Sequence, residues 1–186
     1  GSLIARSGTV SFSFGTSVCA ILVAANGIFQ GVSPAVDHFC AADGQAIHMV
    51  WLRYGTTFLN VIVESHGSNT DDSNSFGQIM PQLLEAPADC GGLLALPFMD
   101  DEPGLEIGMA GVSSATILGF SPGNATPGNI AKAALLSTMF NLKRGCSVLA
   151  SQGIPVQRIV LTGGLTKTPG TGHILANVFN VPVSLL

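Results

Sequence analysis

Residues Arg158–Leu186 read RIVLTGGLTKTPGTGHILANVFNVPVSLL. Arg158 to Leu161 is a short apolar run of strand type, and the doublet Gly163-Gly164 breaks it. Thr171 to Phe179 then has helical spacing, and Val181 to Leu185 is apolar again. Strand, helix, strand within about thirty residues is a βαβ unit, which implies a parallel pair. In open α/β sheets ligands bind beyond the carboxyl ends of the strands, which is where the doublet falls. Two glycines there leave a flat backbone shelf for a purine or ribose; the competing reading is a plain strand-to-helix turn. The spacing fits neither GxGxxG nor GxxxxGK[ST], so the usual dinucleotide and P-loop templates are excluded.

Working outward, Pro127 to about Ser151 reads as the clearest helix. Thr126 is a good N-cap, Pro127 stands at the first helical position, and Ile130, Ala134, Leu135, Met139, Leu142, Cys146 and Leu149 trace one apolar side. Near the start, Val10, Phe12 and Phe14 alternate with Ser11 and Ser13, and Cys19 to Val23 is a second apolar strand. The two form a hairpin with the polar tip Gly15-Thr16-Ser17. A Gly at such a tip allows close approach, and the hydroxyls and loop N–H groups suit phosphate oxygens, although most such tips are simply turns. Val36 to Cys40 reads as an edge strand. Ala46 to Glu64, with Ile47, Val50, Trp51, Tyr54, Phe58, Val61 and Ile62 spaced by threes and fours, reads as one helix. A short helix ending at Leu84, a strand from Leu93 to Leu96 and a loop from Pro97 to Gly111 complete the pattern.

The 186 residues fit a single domain spanning 1–186. Hydrophobic residues make up 47% and charged residues 10%, yet every apolar stretch is interrupted before the roughly 20 residues a membrane span requires. A net charge of −4 with scattered Lys and Arg argues against nucleic acid as a partner. Cys19, Cys40, Cys90 and Cys146 have no CxxC spacing and read as free thiols in a reducing, cytoplasmic setting. Asp100, Asp101, Glu102 and Glu106 read as solvated loop surface rather than a cation site. His38, His48, His66 and His173 are far apart in sequence and read as structural, and no nucleophilic triad stands out.

Four segments, in order, resemble the carboxy-terminal domain of the FGGY family of carbohydrate kinases. GTVSFSFGTS (Gly8–Ser17) resembles the serine-rich strand and phosphate loop that open that domain, and LLALPFMDDEPG (Leu93–Gly104) the Leu-Pro-Tyr/Phe segment followed by Gly-Glu-Arg-x-Pro. ILGFSPGNATPGNIAKAALLSTMFNLKRGCSVL (Ile117–Leu149) is similar to the Gly-Leu-x-x-x-His/Thr segment and its long helix. The last 28 or so residues resemble the adenosine motif. DHFCAADGQAIHMVWLRYGTTFLNVIVES is similar to a xylulokinase stretch in which Asn60 would be a characteristic helical Asn.

The resemblance implies an α/β, actin-like ATPase domain of the ribonuclease-H-like type, truncated at both ends relative to the family. It implies ATP with Mg²⁺ as cofactors, held against an amino-terminal domain that carries most of the sugar site. Carried over by position, Gly15 and Thr16 meet the β/γ-phosphates, Gly119 approaches the phosphates, Gly163 and Gly164 flank the adenosine, and Lys167 or Thr168 lies beside the purine. No metal ligand is carried over, and the family's catalytic Asp lies upstream of the matched segment. The parent activity implied is phosphorylation of a small sugar or polyol, D-xylulose first, with the chain alone inactive and prone to self-association or homo-oligomer formation. The alternative is a non-catalytic actin-like module that binds a nucleotide or a partner chain.

Overall fold

The computed structural model describes residues 8–24, 33–67, 75–99, 102 and 114–186. A six-stranded mixed sheet is built from β1 (Thr9–Phe14), β2 (Val18–Ala24), β3 (Asp37–Cys40), β4 (Ala46–Leu52), β7 (Arg158–Gly163) and β8 (Val183–Leu185), in the order β3-β4-β2-β1-β7-β8. β5 (Leu94–Leu96) and β6 (Thr116–Leu118) form a separate two-stranded sheet. The helices are α1 (Thr57–His66), α2 (Ser75–Glu85), α3 (Pro127–Ser151) and α4 (Gly170–Phe179).

β1 and β2 form the expected antiparallel hairpin, with Phe14 opposite Val18 across the Gly15–Ser17 tip. β7 runs parallel to β1, aligning Phe14 with Gly163, and β8 runs parallel to β7 beyond α4. The closing segment is therefore the parallel βαβ unit that its pattern predicts. It adds β7 beside β1, so the hairpin tip and the glycine doublet emerge at the same edge of the sheet.

Val10, Phe12 and Phe14 are fully buried, as the alternation requires. Phe179 of α4 meets Phe12 edge to face at 4.9 Å between ring centroids, a favoured aromatic geometry that fixes α4 over the sheet. α3 packs against α1, α2 and the sheet, burying Ala134, Leu135, Met139, Leu142 and Leu149. Thr126 caps it as predicted, its side chain accepting from the Asn129 N–H at 3.2 Å, with Pro127 following. Gly128 is required because an added Cβ would overlap the Gln82 carbonyl, so α2 and α3 touch backbone to backbone there. Nearby, the buried Lys132 ammonium donates to the Ala86 carbonyl just past the end of α2, where the helix dipole favours a cation.

One expectation is corrected. Ala46–Leu52 is a strand, not the first half of a helix, and pairs with β2 along its whole length from Ala24↔Ala46 to Val18↔Leu52. His48, Val50 and Leu52 form its buried face, a period of two concealed by a polar residue at one inward position. Only the second half of the segment, from Thr57, is helical. β6 also went unread, since three residues give too little periodicity. β3 lies at the sheet edge as expected. Most of the Pro97–Gly111 loop, with Asp100, Asp101 and Glu106, lies outside the described residues.

Candidate nucleotide site

At the carboxyl ends of β1 and β7 lies a cavity of about 400 Å³, within the size range of small-molecule pockets. Its walls include Phe14 at the end of β1, Gly15 and Thr16 from the hairpin tip, Thr56 just before α1, Leu59 and Asn60 from α1, and Phe76 and Met80 from α2. Gly164, Leu165, Lys167 and Thr168 close it from the far side. Gly15, Thr16, Gly164, Lys167 and Thr168, together with Asn60, thus meet at one site although they are scattered from the start to the end of the chain.

The two members of the doublet differ. Gly163 has φ +86°, and a Cβ there would overlap the Phe14 carbonyl oxygen, so its bareness lets β7 lie against β1. Gly164 faces the cavity, and a Cβ there would sit at an ordinary 3.7 Å from the same oxygen. Gly163 shapes the shelf and Gly164 is its surface. Leu165 plugs the turn beneath, and the buried Thr171 hydroxyl holds it by donating to the Leu165 carbonyl at 2.9 Å.

Gly15 is held from the α1 side. Its carbonyl accepts from both the N–H of Thr56 at 3.2 Å and the Thr56 hydroxyl at 2.7 Å. The Ser17 hydroxyl donates to the Arg53 carbonyl at 3.2 Å. Thr16, between these anchors, is exposed and lines the cavity. The exposed hairpin tip and the apolar side chains of Leu59, Phe76 and Met80 give the cavity one polar and one apolar side, which suits a ligand with a polar end and a flat ring.

Gly119 stands elsewhere. With φ +88° it packs against the Gly92 carbonyl, and its own carbonyl accepts from the Asn124 amide at 2.9 Å; it does not line the cavity. Asn124 also donates to the Gly91 carbonyl and accepts from the Ser121 N–H, and Asn129 donates to the Asn124 carbonyl. His38 and His48, ten residues apart, meet across β3 and β4 with their Nδ1 atoms 2.8 Å apart. Only knowledge of that register would have brought them together. Cys19, Cys40, Cys90 and Cys146 are free thiols, as read, and burial pushes Cys146 up to about 12. Glu102 is not solvated loop surface: its carboxylate accepts from the N–H groups of Arg53 and Tyr54 at 2.6 and 3.2 Å.

Mixed sheet, flanking helices and a glycine-lined cavity at the strand ends make this an α/β domain of the actin-like ATPase fold. The chain belongs to the FGGY family of carbohydrate kinases, whose C-terminal domain matches residues 10–186. Xylulose kinase of Haemophilus influenzae is 24% identical over 181 residues, covering 97% of this chain and 35% of that protein. The crystal structure of xylulose kinase from Rhodospirillum rubrum matches with a TM-score of 0.84 at 24% identity, covering 99% of this chain and 36% of that one. Plasmodium falciparum glycerol kinase with ADP matches at a TM-score of 0.75 and 15% identity, over 98% of this chain and 36% of that one. The chain spans about a third of the length of these relatives. Among the described residues no helix is long and apolar enough to cross a membrane.

Proposed function

We propose that this chain forms the nucleotide-holding part of a kinase that moves the γ-phosphoryl group of ATP to a hydroxyl of a small sugar or polyol, D-xylulose first. The observation that carries this reading is the convergence of Gly15, Thr16, Gly164 and Lys167 on one cavity beyond the carboxyl ends of two parallel strands. Thr16 presents its hydroxyl and backbone N–H to the phosphates beside Gly15, whose own N–H donates to the Ser17 carbonyl at 3.2 Å. Gly164 offers the shelf for the nucleoside, Gly163 holds that shelf against β1, and Phe76 and Met80 supply an apolar wall for the purine. Lys167 and Thr168 lie at its rim. Gly119 lies outside this cavity, in the loop that Asn124 holds, and would approach the phosphates from there.

Among the described residues no three His, Cys, Asp or Glu side chains are grouped to hold a metal. Mg²⁺ bound with ATP would be held largely by its usual ligands, phosphate oxygens and water. Phosphoryl transfer needs positioning and charge stabilisation on both sides of the nucleotide, so the chain alone binds nucleotide weakly and transfers nothing. Support for D-xylulose comes from the likeness to xylulose kinases, while gluconate and glycerol kinases share the fold. Free thiols support a cytoplasmic setting, and the exposed Leu94, Leu118 and Phe140 support self-association.

The test supplies a complementary amino-terminal part from a related kinase and follows ADP release with D-xylulose, gluconate and glycerol. Fastest release with D-xylulose is expected. Release that ignores the sugar, or none with any of them, contradicts the reading and favours a non-catalytic nucleotide- or partner-binding module.

A further inference from the structure

Glu102 makes contacts that no part of the reading above employs. Both carboxylate oxygens are engaged, Oε1 by the Arg53 N–H at 2.6 Å and Oε2 by the Tyr54 N–H at 3.2 Å. These two amides open the Arg53–Thr56 turn between β4 and α1, and consecutive N–H groups directed at one carboxylate make charge-assisted bonds stronger than neutral ones.

The same turn is gripped at every other position. The Ser17 hydroxyl donates to the Arg53 carbonyl, and the buried Thr138 hydroxyl of α3 donates to the Gly55 carbonyl at 2.6 Å. Gly55 itself sits where a Cβ would overlap the Val18 side chain, so the turn lies directly on the hairpin. Its last residue, Thr56, sends two donors to the Gly15 carbonyl. Of the four hydrogen-bonded connections, two run to the Gly15–Ser17 tip, one to the long helix and one to Glu102.

We propose that Glu102 is a positioning residue for the phosphate loop, acting through the Arg53–Thr56 turn: its carboxylate fixes the turn's first two amides, and Thr56 and Ser17 pass that placement to Gly15. Glu102 is not itself one of the residues that line the cavity. Rotation of the turn moves the Gly15 carbonyl, and with it the donors of Thr16, so Glu102 is coupled to the cavity through the turn. The functional consequence rests on the nucleotide reading given above; the coupling itself does not.

Glu102→Gln keeps the shape but replaces one acceptor oxygen with an amide donor, which opposes one of the two N–H groups. Hydrogen exchange on the chain, with and without this substitution, reads the coupling in the absence of any ligand. The Arg53 and Tyr54 amides are expected to exchange about tenfold faster, and the Thr56 and Gly15 amides to accelerate with them, while Ala134 and Leu135 in α3 stay unchanged. Combining Glu102→Gln with Ser17→Ala is expected to be less than additive at Gly15, since both act on one turn. Acceleration confined to Arg53 and Tyr54, acceleration throughout the chain, or none at all each overturns the proposal. In parallel, Mg·ATP affinity is expected to fall about tenfold in the Gln variant. If the unaltered chain binds no Mg·ATP, the nucleotide reading fails while the exchange pattern still decides the role of Glu102.

Discussion

The chain contains Gly-Gly-Leu twice, at Gly91-Gly92-Leu93 and at Gly163-Gly164-Leu165, and both leucines are buried. The surroundings of the two doublets are opposite. At the first, the glycines are exposed but their backbone is engaged by protein groups: Gly119 packs on the Gly92 carbonyl, Asn129 lies against Gly91, and Asn124 bonds the Gly91 and Gly119 carbonyls together. At the second, Gly163 is used up in packing against Phe14, but Gly164 is left bare before a cavity. A glycine pair thus marks close backbone approach in both places, and only what stands opposite separates a joint from a ligand shelf.

The largest effect separates Gly163 from its neighbour. Gly163→Ala combines a left-handed φ with overlap on the Phe14 backbone and is expected to cost roughly 3 kcal/mol, whereas Gly164→Ala stays within about 0.5 kcal/mol. Urea unfolding of both variants measures the gap, and equal costs would erase the distinction drawn here. Next, Asn124→Ala strands the Gly91 and Gly119 carbonyls and the Ser121 N–H, for a loss of about 2–3 kcal/mol by the same measurement. If Gly119 also serves the phosphates, this variant loses nucleotide affinity as well; retained affinity confines the first doublet to structure.

A smaller effect is read at Cys90, which heads the first doublet. Burial raises its thiol above the ordinary 9.0, partly offset by the Lys132 ammonium. A raised value delays the thiolate, so labelling of Cys90 by a thiol reagent is expected to climb only above that pH, behind the exposed Cys40. Mg·ATP should leave the Cys90 rate unaltered, and protection of Cys90 by nucleotide would show the two corners to be one site. Smallest is self-association: Leu94 and Leu118 pair across the small sheet with about half their surfaces exposed, and Phe140 lies beside Leu94. Sedimentation is expected to show concentration-dependent association that Leu118→Glu weakens.

Much of this was legible in the sequence. Alternation fixed the hairpin, capping fixed α3, and the terminal strand-helix-strand pattern fixed the parallel pairing of β7 and β8. The Gly15-Thr16-Ser17 and Gly163-Gly164 turns stood out by residue type at strand ends, whereas Lys167 and the assignment of these residues to ATP came from the family resemblance. What stayed hidden depended on partners distant in sequence. His48 masked the period of β4, and its inward polar side chain meets His38 on the adjoining strand, ten residues earlier. Phe76 carried no signal, since an exposed aromatic on a helix gains meaning only when α2 is laid beside the glycine shelf. Glu102 looked like one more acid in an acidic loop, because the two amides it holds lie 49 and 48 residues earlier.

The central claim is that the second doublet is a nucleotide shelf. Calorimetric titration of the chain with Mg·ATP, beside a Gly164→Val variant whose fold is intact by circular dichroism, tests it most directly. The account predicts binding by the unaltered chain that the variant loses. Equal binding by both, or binding by neither, would contradict it.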